Sequence, residues 1–268
     1  MRPNKRLGQH FLTDPGILGR IADALDLEAG ERVIEIGPGR GDLTRQLLAR
    51  GAKVIAIEKD RRLAAEVGMR NAECGTDRLS VVQGDALKVN WHSLIDAHPD
   101  IPRSAFRLPH FKIVGNIPYN ITSPLLEKAL TPPLPARIVF LVQLEVARRI
   151  AAAPGSKTYG ALSIGVQAHC RVEELFTVLP GSFRPPPKVK SALLRLTPLA
   201  EPLVRAEEAL ALRAFVTACF SRRRKQLHNA VPGATAAALT ALGFDPKARP
   251  ETLAPADFVR LLRWSQQL

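Results

Sequence analysis

The sequence predicts an α/β fold in which an open, mainly parallel sheet is layered with helices and followed by a small helical domain. Three observations predict it. Short β-branched runs recur at Val33–Ile36, Lys53–Ile57, Leu79–Gln83, Phe111–Gly115 and Arg137–Val142, with stretches of helical periodicity between them. The first run enters a glycine-rich turn, Gly37-Pro38-Gly39-Arg40-Gly41, from which a helix starts. Residues 199–268 read as short helices.

Each element follows from local chemistry. Residues 1–13 carry Arg2, Lys5 and Arg6 with no acid, and Gly8-Gln9-His10-Phe11-Leu12 reads as a segment that folds over a site. Thr13-Asp14-Pro15 can cap a helix over 15–27. The strand at 32–36 leads through the glycine turn to a helix over 42–50, ended by Gly51. Strand 53–57 ends at Glu58, a helix follows over 61–73, and strand 79–83 ends at Gly84-Asp85-Ala86. Residues 91–110 read as a helical turn and a loop, and strand 111–115 ends at Asn116-Ile117-Pro118-Tyr119. A helix over 122–130, a proline-rich loop, strand 137–142 and a helix over 143–150 come next. Gly160–Ala168 and Val189–Leu196 are expected as the last two strands, separated by a proline-stiffened loop. Pro198–Pro202 is read as a linker, dividing a domain of residues 1–198 from one of 199–268. Helices are expected over 206–220, from Ser221 onward, over 234–241 and over 255–265.

Composition narrows the function. The chain has 268 residues and a formal charge of +13, which favours a polyanionic partner. Residues 184–268 carry 14 Lys or Arg against 6 Asp or Glu, a bias better explained by nucleic acid than by uniform solubilisation. Cys74, Cys170 and Cys219 have no metal-ligand spacing and are odd in number, so neither a metal site nor a disulfide framework is expected. No long apolar run or secretory segment appears; the expectation is a soluble cytoplasmic protein with no membrane association, and a monomer as the simplest assembly.

The candidate site lies at the strand ends. The dinucleotide pattern fails because Asp42 and Leu43 follow Gly41, and no Gly-Lys-Ser/Thr makes a P-loop. Glu35 beside the turn would repel phosphate yet suits a ligand with an amino group, which points to an amino-acid-bearing nucleoside. Glu58 is placed to accept the two hydrogens of a ribose diol, and Asp85 to accept an adenine amine. Asn116 and the carbonyl of Ile117 can accept the hydrogens of a second, target amine while an aromatic ring stacks on its base. Holding that weak nucleophile in line with an electrophilic methyl requires no strong base. Arg184, Lys188 and Lys190 are expected to meet phosphates, with Arg148 on a polar helix face and Arg222, Arg223, Arg224 and Lys225 forming a dense cationic run.

Taken together, Gly8–Leu12, Glu35–Gly41, Glu58, Gly84–Ala86, Asn116–Tyr119, Phe183–Ser191 and Phe220–Asn229 resemble the ribosomal RNA adenine dimethyltransferase family in order and spacing, most closely its bacterial small-subunit branch. The resemblance implies a Rossmann-like methyltransferase sheet that uses S-adenosylmethionine and yields S-adenosylhomocysteine. Its implied substrate is 16S rRNA within the immature small subunit, where two adjacent adenosines of the 3′-terminal hairpin loop become N6,N6-dimethyladenosine. It further implies that His10, Leu12, Gly37, Gly39, Gly41, Glu58, Asp85, Ala86 and Asn116 bind the cofactor, and that Asn116 and Pro118 meet the target amine. Tyr119 and Phe183 would sandwich the flipped base. The family often has Asn where this chain has His10. Two other readings are a large-subunit adenine methyltransferase of the antibiotic-resistance type and a mainly non-catalytic subunit assembly factor. A DNA-binding protein would need only the electrostatics.

Overall fold

The computed structural model describes residues 9–74, 77–96 and 111–267, so Arg2, Lys5 and Arg6 of the basic arm lie outside the described residues. The chain forms two compact units, Met1–Ala147 with Glu173–Pro198, and Arg148–Val172 with Leu199–Leu268.

The first unit opens with β1 (Phe11–Leu12) and α1 (Pro15–Asp23), which is capped by Asp14 accepting the Ile17 N–H at 3.1 Å. There follow β2 (Arg32–Ile36), α2 (Asp42–Ala49), β3 (Lys53–Glu58), α3 (Arg61–Cys74), β4 (Leu79–Gln83), α4 (Trp91–Asp96), β5 (Phe111–Asn116), α5 (Thr122–Ala129), β6 (Arg137–Gln143) and α6 (Leu144–Ile150). After α7 (Ala161–Gln167) come β7 (Cys170–Val178), β8 (Phe183–Arg184) and β9 (Ser191–Pro198). Seven strands make one sheet in the order β4-β3-β2-β5-β6-β9-β7, and β1 pairs separately with β8. The five strands from β4 to β6 run parallel, while β9 is antiparallel to β6. Chain order reverses direction between β2 and β5, and a crevice opens at such a switch point beyond the carboxyl ends. The apolar residues of β2, β3 and β5 are almost wholly buried, as expected for parallel strands covered on both faces.

The second unit is helical, with α8 (Ala209–Ser221), α9 (Leu227–Ala230), α10 (Ala236–Ala241) and α11 (Pro255–Ser265). Its core joins Tyr159, Ile164 and Ala168 to Leu212, Phe215, Phe258 and Leu262. The single boundary expected at 198/199 is therefore corrected: residues 148–172 belong with the later helices, because their apolar side chains fill that core. Tyr159 is buried there with its hydroxyl donating to the Leu253 carbonyl at 2.9 Å.

Three expected elements differ. Gly160–Ala168 forms the helix α7 instead of a strand; Ala161, Ile164 and Ala168 recur at intervals of three and four, and the Ser163 hydroxyl accepts the Gly160 N–H at 3.1 Å. Besides the short pair β1 and β8, the sequence reading has no strand at β7, which lies at the edge of the sheet. Its exposed residues Arg171, Glu174 and Thr177 fall every third position, so no alternation announces it. Beyond Ser221 the four adjacent cations form a turn, and helix resumes only at Leu227.

Gly115 shows how tightly β5 is fitted to β2. A Cβ there would sit 2.8 Å from the Ile36 carbonyl oxygen and 2.7 Å from the Ile117 side chain. Gly115→Ala is expected to lower stability by roughly 1–3 kcal/mol, read as a reduced thermal midpoint. An unchanged midpoint would show that the strands can part at no cost.

Candidate active site

Strand register assembles the site. Glu35 pairs with Ala56 on one side and Val114 on the other. Side chains alternate along a strand, so Glu58, two residues beyond Ala56, and Asn116, two beyond Val114, share the face that carries Glu35. Glu58 pairs with Gln83, and Asp85 follows two residues later, just past the end of β4. One cleft of about 1350 Å³, including the solvent at its mouth, collects Glu35, Glu58, Asp85 and Asn116. His10, Leu12, Gly37, Gly39, Ala86, Pro118 and Tyr119 also line it.

Three carboxyl groups at neighbouring strand ends have different electrostatics. Glu35 is 1% exposed, and burial pushes its pKa up to about 7 despite the Thr44 hydroxyl donating to it at 2.6 Å. Glu58 and Asp42 add repulsion in the same direction. Glu58 is raised by burial too, opposed by hydrogen bonds from the Asp60 N–H at 2.8 Å and the Gly39 N–H at 3.1 Å. Those donors fix the carboxylate plane, and each oxygen keeps a further lone pair for a ligand. Asp85 behaves oppositely: a hydrogen bond from the Lys59 ammonium at 2.9 Å, helped by the Leu87 N–H, holds its pKa below the usual range.

The glycines divide the work of the turn. Gly37, with φ +67°, has open space where a Cβ would be, which lets a ligand approach the backbone. Gly39 is covered by Phe11, whose ring would lie 3.0 Å from an added Cβ. Gly41, expected in cofactor binding, does not line the cleft; its φ of +77° makes it the left-handed N-cap of α2.

The segment around His10 closes one side of the cleft. β1 pairs with β8 through Phe11 opposite Arg184 and Leu12 opposite Phe183. The Asn116 Nδ2 donates to the His10 carbonyl at 2.9 Å, leaving Oδ1 as the acceptor of that amide. Phe183 departs from expectation. It is 1% exposed and packs with Leu12, Leu18 and Ile21 in the core, because its register with Leu12 turns the ring inward; it does not line the cleft.

The expected RNA-facing cations also separate. In the first unit, Arg184, Lys188 and Lys190 are exposed, beside the exposed apolar side chains of Leu179 and Val189, which the sequence reading did not single out. In the second, Arg148, Arg222, Arg224 and Lys225 are exposed. Arg223 is different. It pairs with Glu251 and donates to the carbonyls of Lys157 at 2.9 Å and Ser156 at 3.3 Å, a brace that leaves little of it for phosphate.

Other supporting residues went unnoticed in the sequence. Lys128 of α5 donates to the carbonyls of Leu87 and Val89 and lies over the Trp91 ring, whose N–H donates to the Ala86 carbonyl at 2.9 Å. Together they pin the loop that carries Asp85. Neither residue neighbours a strand end in the sequence, so spacing carried no signal. Among the described residues, no group of three or more His, Cys, Asp or Glu is arranged to hold a metal ion, and no helix is long and apolar enough to cross a membrane.

Comparison with known proteins adds identity to this geometry. The family model for ribosomal RNA adenine dimethylase matches residues 1–267. The ribosomal RNA small subunit methyltransferase A of Pseudomonas aeruginosa is 43% identical over 263 residues, covering 97% of this chain and 93% of that protein. Its counterpart in Pseudomonas putida is 45% identical over 262 residues, covering 97% and 94%. Among solved structures, a dimethyladenosine transferase from Plasmodium falciparum superposes with a TM-score of 0.78 at 31% identity, covering 96% of this chain and 98% of that one. The 23S rRNA methyltransferase ErmE gives 0.68 at 28% identity, with 94% and 98% covered.

Burial of Glu35 makes stability depend on pH with a definite sign. Between its ordinary value of 4.5 and about 7 the folded protein holds a proton that the unfolded chain releases, so stability falls as pH rises through this window. The full effect is about 3 kcal/mol. Glu35→Gln is expected to lose less stability than the parent between pH 5 and pH 8 in chemical denaturation. Identical losses would remove Glu35 as the cause.

Proposed function

We propose, from the premise that the chain belongs to the ribosomal RNA adenine dimethylase family, that it methylates N6 of two adjacent adenosines in the 3′-terminal hairpin loop of 16S rRNA. The fold is that of a Rossmann-like, S-adenosylmethionine-dependent methyltransferase with a smaller helical region. The substrate in this reading is the immature small ribosomal subunit in the cytoplasm, and the products are N6,N6-dimethyladenosines and S-adenosylhomocysteine. The observation that carries it is the joining, in one cleft, of three carboxyl groups at consecutive strand ends with Asn116, Pro118 and Tyr119.

The lining suits such a cofactor. A desolvated carboxyl at Glu35, held short of full ionisation by burial, gains from a neighbouring ammonium. Glu58 retains lone pairs for two ribose hydroxyls, and Asp85 shares its oxygens between Lys59 and an adenine amine. S-adenosylmethionine, when bound, supplies an electrophilic methyl group on a sulfonium. Asn116 Oδ1 and the Ile117 carbonyl accept the two N6 hydrogens of the target, favouring a pyramidal nitrogen with its lone pair directed along the line of attack. The nitrogen becomes acidic as the N–C bond forms, so its proton can pass to water without a dedicated base. In the second transfer only one N–H remains, and stacking on Tyr119 takes a larger share of holding the base.

Identity of 43% and 45% with small-subunit relatives across nearly the whole chain supports the 16S target over the large-subunit one, although the fold serves both. Transfer of labelled methyl groups to small subunits lacking the modification, with large-subunit RNA in parallel, tests this. The expected result is two adjacent dimethyladenosines near the 16S 3′ end, with a loss of roughly 10²–10³ in kcat for Asn116→Ala. Label confined to large-subunit RNA would transfer the assignment to the resistance-type reaction; tight subunit binding without transfer would leave an assembly factor.

Cofactor affinity carries its own test. Because the charged form of Glu35 is the one an ammonium favours, the Kd for S-adenosylmethionine is expected to rise as pH falls below about 7 and to level off above it. Glu35→Gln should flatten that dependence in calorimetric titrations. A parent profile that is already flat would separate Glu35 from the cofactor.

A further inference from the structure

We propose that Lys128, which does not line the cleft, is the positioning residue that gives the cofactor site its selectivity for an adenine amine; the inference rests on the methyltransferase reading above. Gly84, Asp85 and Ala86 line the cleft, and Lys128 of α5 grips the same loop outside it. Its ammonium donates to the Leu87 carbonyl at 3.0 Å and to the Val89 carbonyl, and lies 5.0 Å from the centre of the Trp91 ring. Three donors and no acceptor on a long stem suit lysine to hold two carbonyls at once.

Those carbonyls control how Asp85 is aimed. The peptide joining Ala86 to Leu87 gives its N–H to Asp85 Oδ1 at 3.0 Å and its carbonyl to the Trp91 indole at 2.9 Å. The next peptide gives its N–H to the Asp85 carbonyl at 2.8 Å and its own carbonyl to Lys128. Because a peptide unit is planar, a bond that holds its carbonyl also fixes the direction of its N–H. Val89, the second partner of Lys128, donates its N–H to the Asp85 carbonyl at 2.9 Å. Its side chain closes on Gly84, where an added Cβ would meet it at 2.8 Å. The Lys59 ammonium holds Asp85 Oδ2 at 2.9 Å, so both carboxylate oxygens are tied and the lone pairs left for a ligand are set before it arrives. Burial lowers the Lys128 pKa while the charge of Asp85 opposes that shift, which marks how near the two groups lie.

The other end of α5 is tied to the segment that receives the target amine. The Thr122 hydroxyl donates to the Pro118 carbonyl at 3.4 Å, and the Ile121 N–H donates to the same oxygen at 3.1 Å. Leu125 and Leu126 fix the helix in the core between these ends. One short helix, about 12 Å long, therefore references the adenine loop and the Pro118 segment to each other.

The test is calorimetric titration of the intact chain with S-adenosylhomocysteine and with an analogue in which hydrogen replaces the adenine amine. The parent is expected to prefer the amine-bearing ligand at least roughly tenfold, the range of a hydrogen bond to a charged group. Lys128→Met keeps an apolar stem and loses the donors; it should weaken S-adenosylhomocysteine roughly fivefold or more while moving the analogue less than about twofold. Lys128→Arg, which can donate to both carbonyls, should retain most of the preference. Trp91→Phe keeps a ring and loses its N–H, and should reduce the preference as Lys128→Met does. A general loss of structure would weaken both ligands alike, so an unchanged preference in Lys128→Met overturns the proposal, as does an Arg variant no better than Met. If Lys128→Met does not fold, an unchanged preference in Trp91→Phe overturns it. A parent with no preference would remove Asp85 from the adenine and this inference with it, while methyl transfer to small subunits leaves the proposed function standing. Absence of both binding and transfer by the parent would remove both.

Discussion

Parallel register among β3, β2 and β5 is the constraint on which the rest of the first unit depends. It puts Glu58, Glu35 and Asn116 on one face and brings them to one edge. A one-residue slip of any of these strands would turn its polar group to the opposite layer of helices. Gly115 keeps β5 close enough to β2 for that register to be held, since a Cβ there would press on the Ile36 carbonyl. Specificity for a ligand thus begins as a packing requirement at the residue next to the functional amide.

The same edge concentrates negative charge where the sheet can least solvate it. Glu35 and Glu58 are both destabilised as anions by burial, and the molecule compensates with local donors: Thr44 for one, the main chain of Gly39 and Asp60 for the other. Asp85, nearer solvent, is instead matched by Lys59. The result is a graded row, from a carboxyl poised near neutrality to one firmly ionised. Such a row offers separate partners to an ammonium, a diol and an aromatic amine without three equal charges repelling one another.

Much of this was legible in the sequence because strand ends and turns are local. Glu58, Asp85 and Asn116 each follow an apolar run, and periodicity located those runs well enough to place the residues in one cleft. The glycine turn was equally plain, though the individual tasks of Gly37, Gly39 and Gly41 depend on φ angles and on what Phe11 covers. What escaped was set by distant contacts. β7 lacks alternation because it is an edge strand, and α7 carries glycine and β-branched residues whose preference was overruled by burial in the second core. Phe183 is expected from the family resemblance to face the flipped base, but its pairing with Leu12 decides which way the ring points. Arg223 read as one of four equivalent cations, and only the folded position of Glu251, 28 residues on, distinguishes it.

The interrupted second unit has a consequence for how the chain is made. Tyr159, Ile164 and Ala168 leave the ribosome before β9, yet the side chains that cover them, from Leu212 to Leu262, are synthesised only afterwards. During that interval the nascent protein carries an apolar surface with no partner, while the sheet of the first unit already has its strands. A chain stopping at Pro198 would retain that surface permanently, so the apparent linker does not mark a point at which the protein can be cut into two autonomous pieces.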